Sequence, residues 1–467
     1  MGNSYDVTVI GSGPAGYVAA IRAAQLGLRV AIVEREYWGG VCLNVGCIPT
    51  KALLKTAEVA HMLQSRGREF GFAFDNLRLD YGVAVQRSRQ IADRLVKGVQ
   101  LLLKSGGITA LAGTGTIVGA HQVRVALDEG GEETIDTRHI IVATGARPRG
   151  IPGVTIDGAK VITYTEAILS SDLPKSVVII GAGPIGVEFG TIWRSYGVDV
   201  TIVEMMDRLL PLEDRETSEV VARAYRRLKI NVVTGARVEG IDTKEDGVVV
   251  KVSKDGTASE LAAEQALVAI GFIPNVEGIG LESAGVALTE KGDFIEVDDR
   301  MRTNVPQIYA VGDVTGKLML AHVGSAMGIV AAEAIAGQDP PRLDYLMMPR
   351  CVYCQPQVAS FGYTEEQARE AGFDLQIGKF PFLANGKALG LGERDGFVKI
   401  LSDAVTGELL GAHLVGPDVT ELLPELTLAR MQELTAAEIG RNVHAHPTLS
   451  EAIMEAAHAV EGHAIHI

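Results

Sequence analysis

Cysteine is scarce: the 467-residue chain has four. That excludes a disulfide scaffold, which packs many cysteines into a short secreted chain. Positive charge is in deficit: 43 Lys and Arg face 58 Asp and Glu, a net charge of −15. So acidic a chain gives no footprint for nucleic acid or an anionic membrane surface as main partner. Long apolar runs are also missing; none reaches the roughly 18 residues a membrane span needs. The opening MGNSYDVTVIGSG lacks the basic and apolar regions of a signal peptide. Asp6 stands where a myristoylation signal at Gly2 wants Ser or Thr. A cytoplasmic protein is expected. Low-complexity linkers and short-period repeats are absent too.

Glycine, by contrast, is plentiful, with 54 residues. It serves tight turns and close backbone approach to ligands. Hydrophobic residues at 47% and charged ones at 22% fit a globular enzyme of two to four domains.

One device occurs twice. In YDVTVIGSGPAGYVAAIRAAQLGLRVAIVER an apolar run, Val7 to Ile10, leads into Gly11, Gly13 and Gly16. An alanine-rich helical stretch follows, then a second run, Leu28 to Val33, ending in Glu34. In KSVVIIGAGPIGVEFGTIWRSYGVDVTIVEM the strand Val177 to Ile180 precedes Gly181, Gly183 and Gly186. Its second strand, Val198 to Val203, ends in Glu204 at the same spacing. In such a motif the first glycine turns, the second admits a pyrophosphate, and the third lets helix and strand pack. The helix N-terminus attracts the phosphates. The acid takes ribose hydroxyls and repels a 2′-phosphate, so Glu204 favours NAD over NADP. Two copies in full context predict two dinucleotides exchanging electrons, FAD and NAD being the simplest pair.

HIIVATGARP (139–148) and ALVAIGFIPN (266–275) each read as a strand ending in a glycine turn that closes one nucleotide unit. IYAVGDV is a strand ending at Gly312-Asp313, where an acid can hold a ribityl chain or a ribose. From about residue 346 the pattern changes to alternating strands such as CVYCQPQVASFGYT and GFVKILSD, then helices.

Two cysteines lie in GGVCLNVGCIPTK. Five positions apart on a regular helix, Cys42 and Cys47 would be roughly 7.5 Å apart along the axis. A disulfide wants Cα atoms about 4.4–6.8 Å apart, so a bridge requires a bend, for which Gly46 and Pro49 are available. Two unrelated thiols fit the spacing as well. No His or further Cys at ligand spacing supports a metal. Cys351 and Cys354 form a second close pair; alternation along a strand would point them to opposite faces, as incidental thiols.

The segment GGVCLNVGCIPTKALL resembles the redox motif of the pyridine nucleotide–disulfide oxidoreductases, and within them the branch that oxidises dihydrolipoamide. The likeness runs through both glycine motifs, ATGARP, GDV, MLAH and HAHPTLSE. It implies an α/β chain of two Rossmann-like dinucleotide-binding domains plus an α+β C-terminal dimerisation domain. The boundaries expected are 1–148 for FAD, 149–272 for NAD, 273–345 completing the FAD site, and 346–467 for the interface. It implies FAD at Gly11, Gly13, Pro14, Ala15, Gly16, Glu34, Lys51, Gly115, Thr144, Gly145, Asp313, Met319, Leu320, Ala321 and His322. NAD would lie at Gly181, Gly183, Ile185, Gly186, Glu188, Glu204, Val238 and Gly271, with Glu188 able to pair Lys51. Cys42 would be the interchange thiol facing substrate and Cys47 the charge-transfer thiol facing the flavin. His446 and Glu451 match the family's acid–base dyad, which a homodimer places in the partner's site. Read without the likeness, a His near a Glu is usually surface, and His444 with His446 finds no third metal ligand. The partners implied are lipoyl domains and the acyltransferase core of a 2-oxoacid dehydrogenase complex, or the glycine cleavage system. Relatives using NADPH carry basic residues after the second acid, where this chain has Met205 and Met206. One departure is CQPQ, residues 354–357, where many members read T-x-P-E.

Overall fold

The structure, a computed structural model, describes residues 4–467; the Met1–Gly2 terminus weighed above lies outside them. The chain divides into two compact units. One comprises Met1–Ala52, Val83–Arg149 and Gly271–Tyr345; the other comprises Leu53–Gly82, Gly150–Ile270 and Leu346–Ile467.

The first unit begins with β1 (Ser4–Ile10), α1 (Pro14–Gln25) and β2 (Val30–Glu34). Leu28 falls outside β2 because Gly27 turns the chain at φ +84°. β1 pairs in parallel with β2 and with the strand Glu132–Val142. β2 pairs with Thr109–Gly119, and Glu132–Val142 with Ile308–Ala310, both in parallel. The two long strands change partner midway and form an antiparallel meander with Gln122–Leu127. Val7, Val9, Ile32 and Ile140 are fully buried, as strands covered on both faces require. Each such side chain contributes about 1.5–3 kcal/mol by leaving water.

α1 packs against the helix Ala321–Ile335 through small residues. A Cβ on Gly328 would sit 2.5 Å from the Ala15 carbonyl oxygen. Arg22 and Glu333 close the far end at 2.6 Å. The two stretches read as unit-closing strands are joined to each other: Ala146–Pro148 pairs antiparallel with Phe272–Pro274.

The second unit holds a five-stranded parallel sheet, in order Asn231–Val233, Asp199–Val203, Ser176–Ile180, Gln265–Val268 and Val161–Ile162. It also contains an antiparallel meander, Ala236–Lys244, Gly247–Lys254 and Thr257–Ala263. Its C-terminal part is a five-stranded antiparallel sheet covered by the helices Val419–Met431 and Glu451–Val460. Lys399 in that sheet is 1% exposed and held by Asp214, Glu216 and Glu365 at 3.2, 2.8 and 2.7 Å. Three carboxylates offset the cost of taking one ammonium out of water.

One expectation is corrected here. The strand at Cys351 runs only Arg350–Val352, and Cys354 lies in the bend beyond it, buried. Strand alternation therefore does not relate the two thiols, because the strand ends at Val352 and the chain bends at Cys354.

Candidate active site

Cys42 lies in α2 (Gly40–Asn44), and Cys47 begins α3 (Cys47–His61). The bend that lets the thiols meet is at Val45–Gly46. A Cβ on Gly46 would lie 2.9 Å from Val41 O and 3.2 Å from the Cys42 Cα. Pro49 makes no distortion: it sits in the first turn of α3, where a missing N–H costs nothing. The thiols are within hydrogen-bond reach of each other in their reduced form. Hydrogen bonding to Cys47 and then burial push the Cys42 thiol up, while the Lys51 ammonium, one turn along α3, draws it down. Cys42 thus holds its proton, and Cys47 lies at the N-terminal, positive end of α3. The half-buried Tyr17 phenol of α1 is raised by burial and by Cys42 beside it.

The pair is anchored to the glycine loop. Gly40, at φ +68°, approaches so closely that its Cβ would stand 2.4 Å from the Gly13 Cα. Gly39 N–H donates to Ser12 Oγ at 3.2 Å, and Ser12 Oγ–H reaches Glu34 Oε2 at 2.8 Å. Sequence reasoning missed Ser12, Gly39, Gly40 and Tyr17. The adjacent glycines directly before the cysteine segment were the available signal.

Each glycine of both motifs has its own role. Gly11 and Gly181 take φ near +100°, and a Cβ on either would meet the carbonyl of the residue just past a strand, Ala143 O at 2.4 Å and Ala269 O at 2.3 Å. A Cβ on Gly16 or Gly186 would lie 2.0 Å from the carbonyl of the first glycine. Gly183 faces open space, with no atom within 4 Å of its Cβ position, and Gly13 meets only the Gly40 Cα at 4.0 Å. Both are N-caps without a side-chain hydrogen bond, followed by Pro14 and Pro184. A cradle left open by glycine at a helix N-terminus fits a pyrophosphate. The acids are arranged alike. Glu34 Oε2 accepts from Ser12 N at 2.7 Å, and Glu204 Oε2 from Ala182 N at 2.7 Å. Each first holds its own loop in shape.

Asp313 follows Ile308–Ala310 in the 3-10 turn Gly312–Thr315, and a Cβ on Gly312 would lie 3.0 Å from Ala15 Cβ. Met319 and Leu320 lead into the helix begun by Ala321 and His322. Thr144 Oγ–H donates to Asn275 O at 2.7 Å, Asn275 returns a bond to Thr144 O, and Gly145 O accepts from Asn275 N. Gly115 lies in Thr109–Gly119 against Ile10 and Val33.

Asp313 is largely buried, and burial alone pushes its carboxyl up to about 6 from 3.8. A buried acid with only desolvation acting on it, in the turn whose Gly312 meets Ala15 of α1, fits a ligand hydroxyl as its partner. The sign follows from linkage. The folded apoprotein holds the proton longer than the unfolded chain, so its stability falls as pH rises from about 4 through 6. The loss approaches about 3 kcal/mol. Asp313→Asn is expected to flatten this dependence in thermal melts of apoprotein between pH 4.5 and 7, and to weaken flavin retention. An unchanged pH slope would show that Asp313 is not the group responsible.

In the second unit, Gly181, Gly183, Ile185 and Gly186 open the helix Pro184–Ser195, which carries Glu188. Glu188 is 3% exposed, and its Oε1 accepts from Tyr353 N at 2.9 Å. Val238 lies in Ala236–Lys244 opposite Val252, packed on the core. Gly271 takes φ +105° three residues after the sheet strand Gln265–Val268.

His446 lies before Glu451–Val460 and is 78% exposed. Its Nδ1 is 2.8 Å from Glu451 Oε1, and Glu451 Oε2 accepts from Thr448 N at 2.8 Å. Burial would raise Glu451, but the Thr448 N–H and His446 outweigh it and hold the carboxylate below its usual range. His444, two residues earlier, is turned instead to Glu425 at 3.0 Å. No described helix is long and apolar enough to cross a membrane.

Known proteins resemble the chain along nearly its whole length. Residues 5–328 match the family model of pyridine nucleotide-disulphide oxidoreductases, and residues 348–457 that family's dimerisation domain. Dihydrolipoyl dehydrogenase of Mycobacterium tuberculosis is 54% identical over 462 residues, covering 99% of each chain. That of Corynebacterium glutamicum is 50% identical over 470 residues, covering 100% of each. The crystal structure of LpdA from Mycobacterium tuberculosis superposes with a TM-score of 0.90 at 28% identity, over 97% of this chain and 98% of the other. The Cu(II) complex of RclA, an HOCl-induced flavoprotein disulfide reductase of Escherichia coli, gives 0.87 at 29%, over 97% and 99%. By matched residues and by identity over its full length, the chain belongs to the pyridine nucleotide-disulphide oxidoreductase family.

Proposed function

We propose that the chain is a dihydrolipoyl dehydrogenase, oxidising protein-bound dihydrolipoamide at the expense of NAD+. The observation that carries this is the Cys42–Cys47 contact, held on the glycine loop, in a chain alike over its full length to enzymes of that name.

His446 takes the proton of one substrate thiol, and the thiolate attacks Cys42 Sγ of the oxidised pair. The Cys42–Cys47 bond breaks, and Cys47 leaves as a thiolate at the α3 N-terminus. The lower-pKa sulfur leaves faster. The second substrate thiol, losing its proton, attacks the first. The mixed disulfide breaks, Cys42 takes up that second proton, and the disulfide product departs, leaving the Cys42 thiol and the Cys47 thiolate on the enzyme and the first proton on His446. FAD, when bound by the first glycine loop, Glu34, Lys51 and Asp313, supplies the two-electron route from Cys47 to nicotinamide. Gly181–Gly186 and Glu204 hold NAD+; Arg208, the nearest following cation, is engaged by Glu366 at 2.9 Å. A 2′-phosphate would therefore meet Glu204 without a free counter-charge.

Domains 1–148, 149–272, 273–345 and 346–467 divide the work into flavin binding, nicotinamide binding, completion of the flavin site and dimerisation. A homodimer brings His446 to the partner's cysteine pair. Lipoyl domains and an acyltransferase core are the assembly served, in the cytoplasm, where thiols stay reducible. Steady-state assay tests this: dihydrolipoamide with NAD+ gives NADH, and NADP+ is used about 100-fold less efficiently, as a like-charge contact dictates. Colourless purified protein, or preference for glutathione disulfide with NADPH, would overturn it.

A further inference from the structure

The helix Pro184–Ser195 is gripped from outside by groups that the reaction does not use. Tyr225, fully buried on the helix Arg215–Arg227, donates its hydroxyl to Val187 O at 2.6 Å. The same hydroxyl lies 2.8 Å from Thr191 Oγ1, which itself reaches Val187 O at 3.1 Å. Val187 directly precedes Glu188. From the other side comes the corner Tyr353–Pro356, which follows the first strand of the C-terminal sheet. Its Tyr353 N–H donates to Glu188 Oε1. Its Cys354 thiol, 1% exposed, lies within hydrogen-bond reach of the Tyr225 hydroxyl and 3.2 Å from Pro356 O. The turn that carries Glu188 is thus held at the preceding Val187 carbonyl by Tyr225, and the carboxylate itself by a loop more than 160 residues away.

We infer that Tyr225 and Cys354 are positioning residues for Glu188, setting the helix turn that presents its carboxylate to the nicotinamide half of NAD+. This rests on the reading of Gly181–Glu204 as the NAD site. A buried phenol with hydroxyl and carbonyl partners has one arrangement, and burial keeps Tyr225 protonated and therefore a donor. Helix Pro184–Ser195 cannot slide or turn at Glu188 without breaking these bonds. The CQPQ departure thereby acquires a role: its cysteine closes the clamp over Tyr225.

The test uses flavin-loaded enzyme carrying Tyr225→Phe, Cys354→Ala or Cys354→Ser, with the two half-reactions followed separately by stopped-flow absorbance. Tyr225→Phe and Cys354→Ala are expected to raise KM for NAD+ about 3–10-fold, the loss of one buried hydrogen bond. They slow reoxidation by NAD+ and leave reduction by dihydrolipoamide unchanged. Cys354→Ser keeps a hydrogen-bonding atom and restores the wild-type KM, and the double variant Tyr225→Phe/Cys354→Ala is no worse than either single. Unchanged KM in both variants, or equal slowing of both half-reactions, would overturn the inference. Failure of the wild type itself to reduce NAD+ would sink the NAD-site reading on which it rests.

Discussion

Cys42→Ser and Cys47→Ser each lower dihydrolipoamide-dependent NADH formation by a factor on the order of 10⁴ or more, because each removes a sulfur that must be bonded during turnover. The two losses differ in kind. Without Cys42 there is no sulfur for substrate to attack, yet Cys47 stays beside Lys51 at the start of α3. That variant is expected to show a thiolate-to-flavin absorbance band that fades on acidification. Without Cys47 the band is absent, and Cys42, deprived of its hydrogen-bonding neighbour, is an ordinary buried thiol with a lower pKa than in the pair. Direct flavin oxidation of NADH by a dye acceptor survives in both. The decisive measurement is turnover beside the absorbance spectrum. A serine variant at either position that retains lipoamide turnover defeats the assignment.

His446→Gln comes second, with a fall in kcat of about 10²–10⁴-fold, the range for loss of a general base. Glu451→Gln has a smaller effect in the same direction, since Glu451 acts through the ring it orients. Glu451 is held below the usual carboxylate range by Thr448 N–H and His446 against the opposing effect of burial. Its orienting charge is therefore present above pH 4.5 and lost only as pH falls through the lowered value, so it contributes no limb to a rate profile above pH 5. The exposure of His446 makes a sharper test. A heterodimer of a Cys42→Ser subunit and a His446→Gln subunit has one working site if the base serves the partner. It then gives about half the wild-type rate from two inactive parents. A base acting within its own subunit gives none.

Much of this was legible in one dimension. The two glycine motifs were read in full because each glycine answers a local demand: a positive φ at Gly11 and Gly181, a missing Cβ at Gly16 and Gly186. The acids were placed correctly at the strand ends, though their hold on Ser12 N and Ala182 N was not foreseen. Pro49 was given a distortion that belongs to Gly46. Helix geometry allows proline in a first turn, and the sequence did not reveal that α3 begins at Cys47. The alternation argument for Cys351 and Cys354 fell for a similar reason: the strand ends at Val352, two residues before Cys354.

Composition, glycine spacing and the resemblance of the cysteine segment by themselves determined the class of the chain and its two nucleotide cradles. These depend on backbone conformation within a few residues, which sequence encodes directly. Only the tertiary structure decided that Gly40 rests on Gly13, that Asp313 is desolvated beside α1, and that Tyr353 and Tyr225 close on the turn at Glu188. Those contacts join segments far apart in the chain, and their partners are set by how helices and sheets pack, not by any local pattern.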